Sequence, residues 1–179
     1  MSGLTFRCAV VAALTLVALA VVPALAATPR NTTVTAVGGQ KYEINRFAGD
    51  TMRFGKDTYE IRSGGTLTLR DRTGDGHTLS LARRSSLPRT TRQLNNCFEG
   101  GICARIAGPH QFPEEGGDGP PVPTRPVVDP DGKGLNRAGD SIYVGPRRSA
   151  RIKVGAKRGS TLRFLCIIHP QMQSKIRVR

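Results

Sequence analysis

Six short stretches of this sequence alternate apolar and polar residues, and this period of two restricts the fold more than any other feature. Such a period is typical of β-strands that bury one face. Turn signals such as Ser63-Gly64-Gly65 and Thr73-Gly74-Asp75-Gly76 separate the stretches, and no run from Thr28 onward shows convincing helical spacing. The predicted strands span residues 58–62, 66–70, 77–81, 150–154, 161–165 and 175–179.

This pattern predicts an all-β fold, either a sandwich or a barrel, built from one domain over residues 27–179. The segment from about 84 to 140 interrupts the pattern, because it is rich in Gly, Pro, Asn and charged residues and has a glycine-proline centre at 116–121. A segment of this length and composition predicts a long irregular insertion between two halves of the fold.

The first 26 residues have the three parts of a secretory signal peptide. Arg7 precedes a run of Ala, Val and Leu, and the run closes with Ala24-Leu25-Ala26. Cleavage after Ala26 would leave 153 residues and lower the formal charge from +14 to +13, because Arg7 is lost. We therefore expect a secreted or periplasmic protein; if the segment stays uncleaved, it would tether the protein to a membrane.

The chain is strongly basic, with 27 Lys and Arg residues against 13 Asp and Glu. It has no Trp and only 5% aromatic residues, which argues against a nucleic-acid reader that stacks bases on aromatic side chains. The strand pattern places residues such as Arg151 and Lys153 on a solvated sheet face. The remaining basic surface would attract an acidic partner or an anionic cell envelope, and this attraction would weaken as salt rises.

Three cysteines remain after the signal peptide, an odd number for a secreted protein. Cys97 and Cys103 are the natural disulfide pair, because Gly100 and Gly101 between them let the chain double back. Reduced thiols, or a metal site shared with His110, are the alternatives. A disulfide would leave Cys166 as an unpaired thiol that needs its own explanation.

Cys166, His169 and Met172 follow one another at three-residue intervals on a loop between the last two predicted strands. Thiolate, imidazole and thioether are soft or borderline metal ligands, and a blue-copper site needs one further imidazole. Either His77 or His110 could supply it. His77 is favoured, because it begins a predicted strand directly after a glycine-rich turn, whereas His110 lies in the insertion.

The Cys-x-x-His-x-x-Met spacing and the segment Gly76-His77-Thr78 resemble those of the cupredoxins, in particular the plastocyanin and amicyanin group. The resemblance covers residues 54–81 and 149–178, where strands, turns and motifs follow in the family's order. It implies an antiparallel Greek-key β-sandwich with one type 1 copper ion. The ligands that it implies are His77, Cys166, His169 and Met172.

Two features depart from the family pattern. The distance of 89 positions between His77 and Cys166 is longer than in small cupredoxins, and Gln173 and Ser174 follow Met172 where a glycine is common. Neither departure removes a ligand.

The resemblance implies a monomeric electron carrier that exchanges single electrons with a redox partner protein, with His169 as the electron port. We expect no enzymatic activity, because the sequence has neither a nucleotide-binding loop nor a convincing nucleophile and base. A copper sequestration or delivery protein is one alternative. A metal-free cupredoxin-like module that binds an acidic partner through its basic surface is another.

Overall fold

The computed structural model describes residues 27–113 and 122–179. The predicted signal peptide and the glycine-proline centre of the insertion lie outside the described residues. Within the described ranges, no helix is long and apolar enough to cross a membrane.

Twelve strands are present in the described ranges, and ten of them form two sheets. The first sheet has the strand order β10-β6-β1-β4, the second has the order β5-β12-β11-β7-β9-β8, and β2 and β3 form a separate hairpin. The strands are β1 (Asn31–Val37), β2 (Gln40–Glu43), β3 (Phe47–Asp50), β4 (Arg53–Phe54), β5 (Thr58–Ile61), β6 (Thr66–Asp71), β7 (His77–Leu81), β8 (Val127–Val128), β9 (Ser141–Val144), β10 (Ser149–Lys153), β11 (Thr161–Leu165) and β12 (Gln173–Val178).

The predicted all-β sandwich is confirmed, but its sheets are not antiparallel throughout. β1 pairs with β6 in parallel, and β5 pairs with β12 in parallel, while the other strand pairs are antiparallel. Each parallel pair joins strands that are not neighbours in the chain. The chain crosses repeatedly between the sheets, which is why segments distant in sequence come to lie side by side.

All six predicted strands are observed, with ends that differ by at most two residues. The strands without a prediction lack the alternating pattern for identifiable reasons. β1 is rich in Thr and buries only Val34 and Ala36, and β2 and β3 lie largely exposed. β9 buries all four of its residues, so that polar and apolar positions do not alternate.

The main core lies between the two sheets and centres on the aromatic ring of Phe164 in β11. This ring contacts Phe54 of β4 edge-on, with the ring centroids 4.8 Å apart, and lies 6.3 Å from the ring of Tyr59. Aromatic pairs in this geometry contribute more than their buried area alone. The contact joins the two sheets, since β4 belongs to one sheet and β11 to the other.

The insertion is not wholly irregular, although no run beyond Thr28 shows convincing helical spacing in the sequence. The described part contains a 3-10 turn (Arg84–Ser86) and two helices, α1 (Thr91–Asn95) and α2 (Ile102–His110). Thr90 caps α1 by accepting a hydrogen bond from the Gln93 amide. Helices of five and nine residues are too short to show a clear periodic pattern in the sequence.

A second core forms where the insertion packs against the outer face of the six-stranded sheet. It contains Leu165 at the end of β11 and Ile167 in the loop that follows, together with residues of the insertion such as Ile106. The polar residues Thr78 and Ser80 of β7 also point to this outer face, and both are fully buried. The insertion therefore turns what would have been a solvated sheet face into protein interior.

The predicted disulfide between Cys97 and Cys103 is present, with 5.2 Å between the Cα atoms. The two glycines between these cysteines let the chain double back, as predicted. Gly100 adopts a φ of 77°, and a Cβ added to Gly101 would lie 2.5 Å from the carbonyl oxygen of Cys97. Cys166 is the free, buried cysteine of the described residues.

Replacing both Cys97 and Cys103 with Ala should lower the free energy of unfolding by about 2 kcal/mol, because a short cross-linked loop restricts the unfolded chain by roughly that amount. Urea unfolding of the variant and of the unmodified protein measures the difference. Reductant provides the control: it should destabilise the unmodified protein and leave the variant unchanged. Equal unfolding midpoints for the two proteins without reductant would contradict a stabilising role.

Candidate metal centre

Strand pairing in the second sheet brings two distant segments to the same end of the sandwich. β7 and β11 are antiparallel, with Leu81 opposite Phe164 and Ser80 opposite Leu165. His77 at the start of β7 therefore lies beside the loop that follows β11. This loop, residues 166–172, connects β11 to β12, as the sequence predicted.

Three predicted ligands meet at this end of the sheet. The Sγ atom of Cys166 lies 3.7 Å from Nδ1 of His77 and 3.9 Å from Nδ1 of His169. The ligand atoms of the three residues all lie within 4.8 Å of one another. An ion held about 2.0–2.3 Å from each donor would place the donors at such separations.

The predicted ligands differ in how deeply they are buried. His77 and Cys166 are fully buried, whereas His169 keeps 9% of its surface exposed. Met172 is buried in the same core as Cys166, and the Cys166 amide donates to the Met172 carbonyl at 3.0 Å. The Met172 amide donates in turn to the His169 carbonyl at 2.8 Å. The role of Met172 as an axial ligand stays a prediction.

Hydrogen bonds on the far side of the His77 ring hold its orientation. Nε2 lies 2.8 Å from Oγ1 of Thr73 and 3.3 Å from Oδ1 of Asp71. The Thr73 hydroxyl donates to the same Asp71 oxygen at 2.8 Å, and the Arg147 amide donates to the other oxygen of Asp71. With Nε2 engaged in this way, Nδ1 is the ring nitrogen available to a metal ion.

The His169 ring has a carboxylate on its outer side as well. Its Nε2 lies 3.7 Å from Oδ2 of Asp75, a longer and weaker contact than the one that holds His77. The side chain of Gln171 in the ligand loop donates to Oδ2 of Asp50 at 2.6 Å, which ties the loop to the end of β3. Both imidazoles thus present Nδ1 to Cys166 and direct Nε2 away from it.

The sulfur of Cys166 accepts a hydrogen bond from the backbone amide of Thr78 at 3.3 Å. Burial raises the pKa of the Cys166 thiol, and hydrogen bonds from Thr78 oppose that rise. A bound metal cation would instead lower this pKa, because metal ions bind the thiolate form and place a positive charge beside the sulfur.

Burial also lowers the pKa values of both imidazoles. The pKa of His77 falls to about 4, because burial disfavours the charged ring and the neighbouring His169 adds to the effect, while Asp71 and Asp75 oppose it. Burial likewise lowers the pKa of His169. Both rings are therefore neutral near pH 7, which is the form that binds metal ions.

His110, the alternative to His77, lies outside the ligand group. It is buried at the end of α2 in the insertion and shares no metal site with Cys97 or Cys103, which form the disulfide. Sequence reasoning also missed the supporting residues Asp71, Thr73 and Thr78. A weak signal was present, since Asp71, Thr73 and Asp75 lie at every second position before His77, but turns often contain such residues.

Comparison with known proteins returns structural similarity alone. No protein-family model matches the chain, and no curated protein matches it. An auracyanin from the photosynthetic bacterium Roseiflexus castenholzii is 14% identical at a TM-score of 0.45, with 86% of this chain and 99% of the auracyanin covered. A reduced Cu(I) form of an amicyanin mutant is 11% identical at 0.40, with coverages of 83% and 82%. The purple cupredoxin from Nitrosopumilus maritimus is 11% identical at 0.38, with coverages of 83% and 99%.

These TM-scores are low, and the assignment of the site therefore rests on the distances within this chain. The two-sheet sandwich and the ligand loop after β11 bring one sulfur donor and two imidazole donors together at one end of the fold. The group of His77, Cys166 and His169 could hold a metal ion.

Acid should destabilise the metal-free protein. Because the folded-state pKa of His77 lies near 4 and the value for an unfolded histidine near 6.5, the unfolded chain binds a proton that the folded protein excludes. This residue alone should lower the free energy of unfolding by about 3 kcal/mol between pH 7 and pH 4. Chemical unfolding at a series of pH values measures the change.

A His77→Asn variant is the matched control for this experiment, because it lacks the titrating ring. Its stability should depend less steeply on pH than that of the unmodified protein, although His110 and His169 act in the same direction. Parallel profiles for the two proteins would show that His77 does not have the lowered pKa.

Proposed function

We propose that this protein binds one copper ion in a type 1 site and carries single electrons between redox partner proteins. The observation that carries the proposal is the meeting of one sulfur and two Nδ1 atoms in a buried position, with separations of 3.7 and 3.9 Å from the sulfur. A thiolate with two imidazoles in this arrangement is the donor set of blue-copper electron-transfer sites.

The donor atoms also fit copper better than zinc. Zinc sites that are purely structural use four Cys or His ligands, whereas this loop offers a thioether from Met172 as its fourth donor. Bound copper supplies a reversible one-electron couple. The chain contributes a rigid ligand set, since His77 is held by Thr73 and Cys166 by the backbone of Thr78.

His169 is the proposed electron port. Among the four predicted ligands, it is the one with the largest exposed fraction, 9%, against at most 1% for the others. Electron exchange with a partner requires a short path from the ligand set to the surface, and the His169 ring provides one. No bond to a substrate is needed, which supports a carrier rather than an enzyme.

The net positive charge favours attraction of an acidic partner at long range. Close to the proposed port, however, there are acidic groups. The protein without its predicted signal peptide carries +13, but the carboxylates of Asp50 and Asp75 lie close enough to His169 to influence its pKa. The net charge would steer an acidic partner or an anionic envelope. We also propose that the protein is secreted to the periplasm or the cell exterior and acts there as a monomer.

Adding Cu(II) to the purified protein should produce an intense blue colour at one equivalent, because charge transfer from the Cys166 thiolate gives such sites their absorption. Cys166→Ser should abolish the colour. The matched control is the double variant Cys97→Ala with Cys103→Ala, which removes the other two cysteines of the described chain and should keep the colour. A colourless unmodified protein that retains no copper would overturn the proposal.

Electron exchange separates a carrier from a protein that stores or delivers copper. A carrier should oxidise and reduce rapidly with small redox reagents in stopped-flow experiments, whereas a storage protein with the same ligands would bind Cu(I) tightly and exchange electrons poorly. The net positive charge predicts that the rate with an anionic reagent such as hexacyanoferrate falls as salt rises. Slow exchange despite a blue site would favour storage.

A further inference from the structure

The last part of the insertion, residues 129–140, has carboxylates at a regular spacing, and we refer to it as the acidic loop. Asp129, Asp131 and Asp140 are its first, third and twelfth residues, and Gly134 is its sixth. Calcium-binding loops of this length have acidic side chains at these three positions and a glycine at the sixth, where the chain turns sharply. Gly134 adopts a φ of 79°, and a Cβ added to it would lie 2.2 Å from the carbonyl oxygen of Lys153.

Two carboxylate oxygens of the acidic loop are buried without a hydrogen-bond partner in the described chain, Oδ1 of Asp129 and Oδ1 of Asp140. Asp140 is 0% exposed. The other oxygen of each carboxylate is satisfied: Oδ2 of Asp129 accepts from the Gly134 amide at 2.7 Å. Oδ2 of Asp140 accepts from the amides of Asn136 and Arg137 at 2.9 and 2.8 Å. Because an unpaired buried carboxylate oxygen is costly, these two atoms indicate a cationic ligand.

The third carboxylate, that of Asp131, belongs to the same group. Its oxygens accept from Nδ2 of Asn136 at 3.1 and 3.4 Å, while the Asn136 amide donates to Asp140. The Asp129 side chain also interacts with Asp131. Burial raises the pKa of Asp140; amide hydrogen bonds oppose the rise, and the negative charge of Asp129 adds to it. Asp129 therefore lies close to both other carboxylates, and a cation beside it would relieve their repulsion.

Two basic side chains of the acidic loop approach these carboxylates without forming hydrogen bonds. Nζ of Lys133 lies 3.9 Å from Oδ2 of Asp131, and Nε of Arg137 lies 3.7 Å from Oδ1 of Asp140. The two basic side chains are 71% and 54% exposed, so that a cation can displace them at little cost in packing. Lys133 stands at the fifth position, where a carboxylate or amide is usual, and the Leu135 carbonyl at the seventh already accepts two backbone hydrogen bonds. The loop therefore has fewer protein ligands than a high-affinity calcium loop.

We propose that the acidic loop binds one calcium ion through the carboxylates of Asp129, Asp131 and Asp140, with water completing the coordination shell. Calcium accepts a variable number of oxygen ligands, whereas magnesium demands a regular octahedron of shorter bonds. The reduced ligand set places the dissociation constant in the range of extracellular calcium modules, about 10⁻⁴ to 10⁻³ M. The inference does not rest on the proposed copper function, since copper favours the sulfur and imidazole donors of the other site.

The position of the acidic loop indicates that the bound calcium stabilises the fold. Leu135 is buried in the main core, and its amide donates to the carbonyl of Lys153, the last residue of β10, at 2.8 Å. The amide of Leu81, the last residue of β7, donates to the Asp140 carbonyl at 2.8 Å. His77 is the first residue of β7, so the acidic loop lies at the opposite end of this strand from the predicted copper ligands.

Urea unfolding of the full chain without added copper tests the proposal. About 10 mM calcium chloride should raise the ratio of folded to unfolded protein by roughly ten- to a hundredfold, because the ion binds the folded state. The reference is sodium chloride of the same ionic strength. Magnesium chloride at the calcium concentration should act more weakly, because magnesium gives up its water reluctantly. No response to calcium, or an equal response to magnesium, would overturn the calcium assignment.

Variants of the acidic loop separate calcium binding from general screening of charge. Asp131→Asn removes a charge from a side chain that is 24% exposed and keeps its shape, so it should fold and lose the calcium response. The matched control is Asp57→Asn, which removes an exposed carboxylate outside the loop and should keep the response. Lys133→Gln should strengthen the response, because it removes the competing ammonium group. Equal responses of Asp131→Asn and Asp57→Asn would refute the site.

Amide NMR of the unmodified protein tests the location without any variant. Calcium should shift the signals of Gly134 and Asn136, whose amides donate to Asp129 and Asp140, and leave the signal of Thr78 unchanged. Shifts centred outside the acidic loop would overturn the proposal.

Discussion

The antiparallel pairing of β7 with β11 is the constraint on which the metal centre depends. It places the first residue of β7, His77, beside the loop that follows β11, although 89 positions separate His77 from Cys166 in the chain. The sandwich core holds this pairing in place, because Phe164 in β11 packs against Phe54 in the opposite sheet. The ligand atoms therefore meet because strand pairing and core packing bring together segments that are distant in the chain.

The insertion changes the outer face of the same sheet from surface to interior. Once Thr78 and Ser80 are covered, their hydroxyls need partners, because an unpaired buried hydroxyl is costly. Ser141 of β9 and His110 of α2 supply those partners. The insertion thus joins a row of buried hydroxyl groups that ends at Thr78, the neighbour of His77, and the Cys97–Cys103 disulfide cross-links the insertion.

Sequence reasoning succeeded where a local pattern reflects a local cause. Strands with one buried face alternate, the ligand loop combines three soft donors at fixed spacing, and the Cys97–Cys103 step contains the glycines that a tight bridge needs. It failed for β9, which is buried on both faces, and for α2, which is too short for a clear period. It missed the parallel partners of β6 and β12 because pairing between distant strands leaves no mark in either strand alone.

The sequence by itself determined which side chains can act as ligands, because the chemistry of thiol, imidazole and thioether belongs to the residue types. It also determined most of the strands, because alternation is a property of neighbouring residues. Only the tertiary structure decided that His77 and not His110 joins the ligand group, and that Thr73 and Thr78 support it. That choice depends on which strands become neighbours, a matter of burial over the whole chain rather than of any segment.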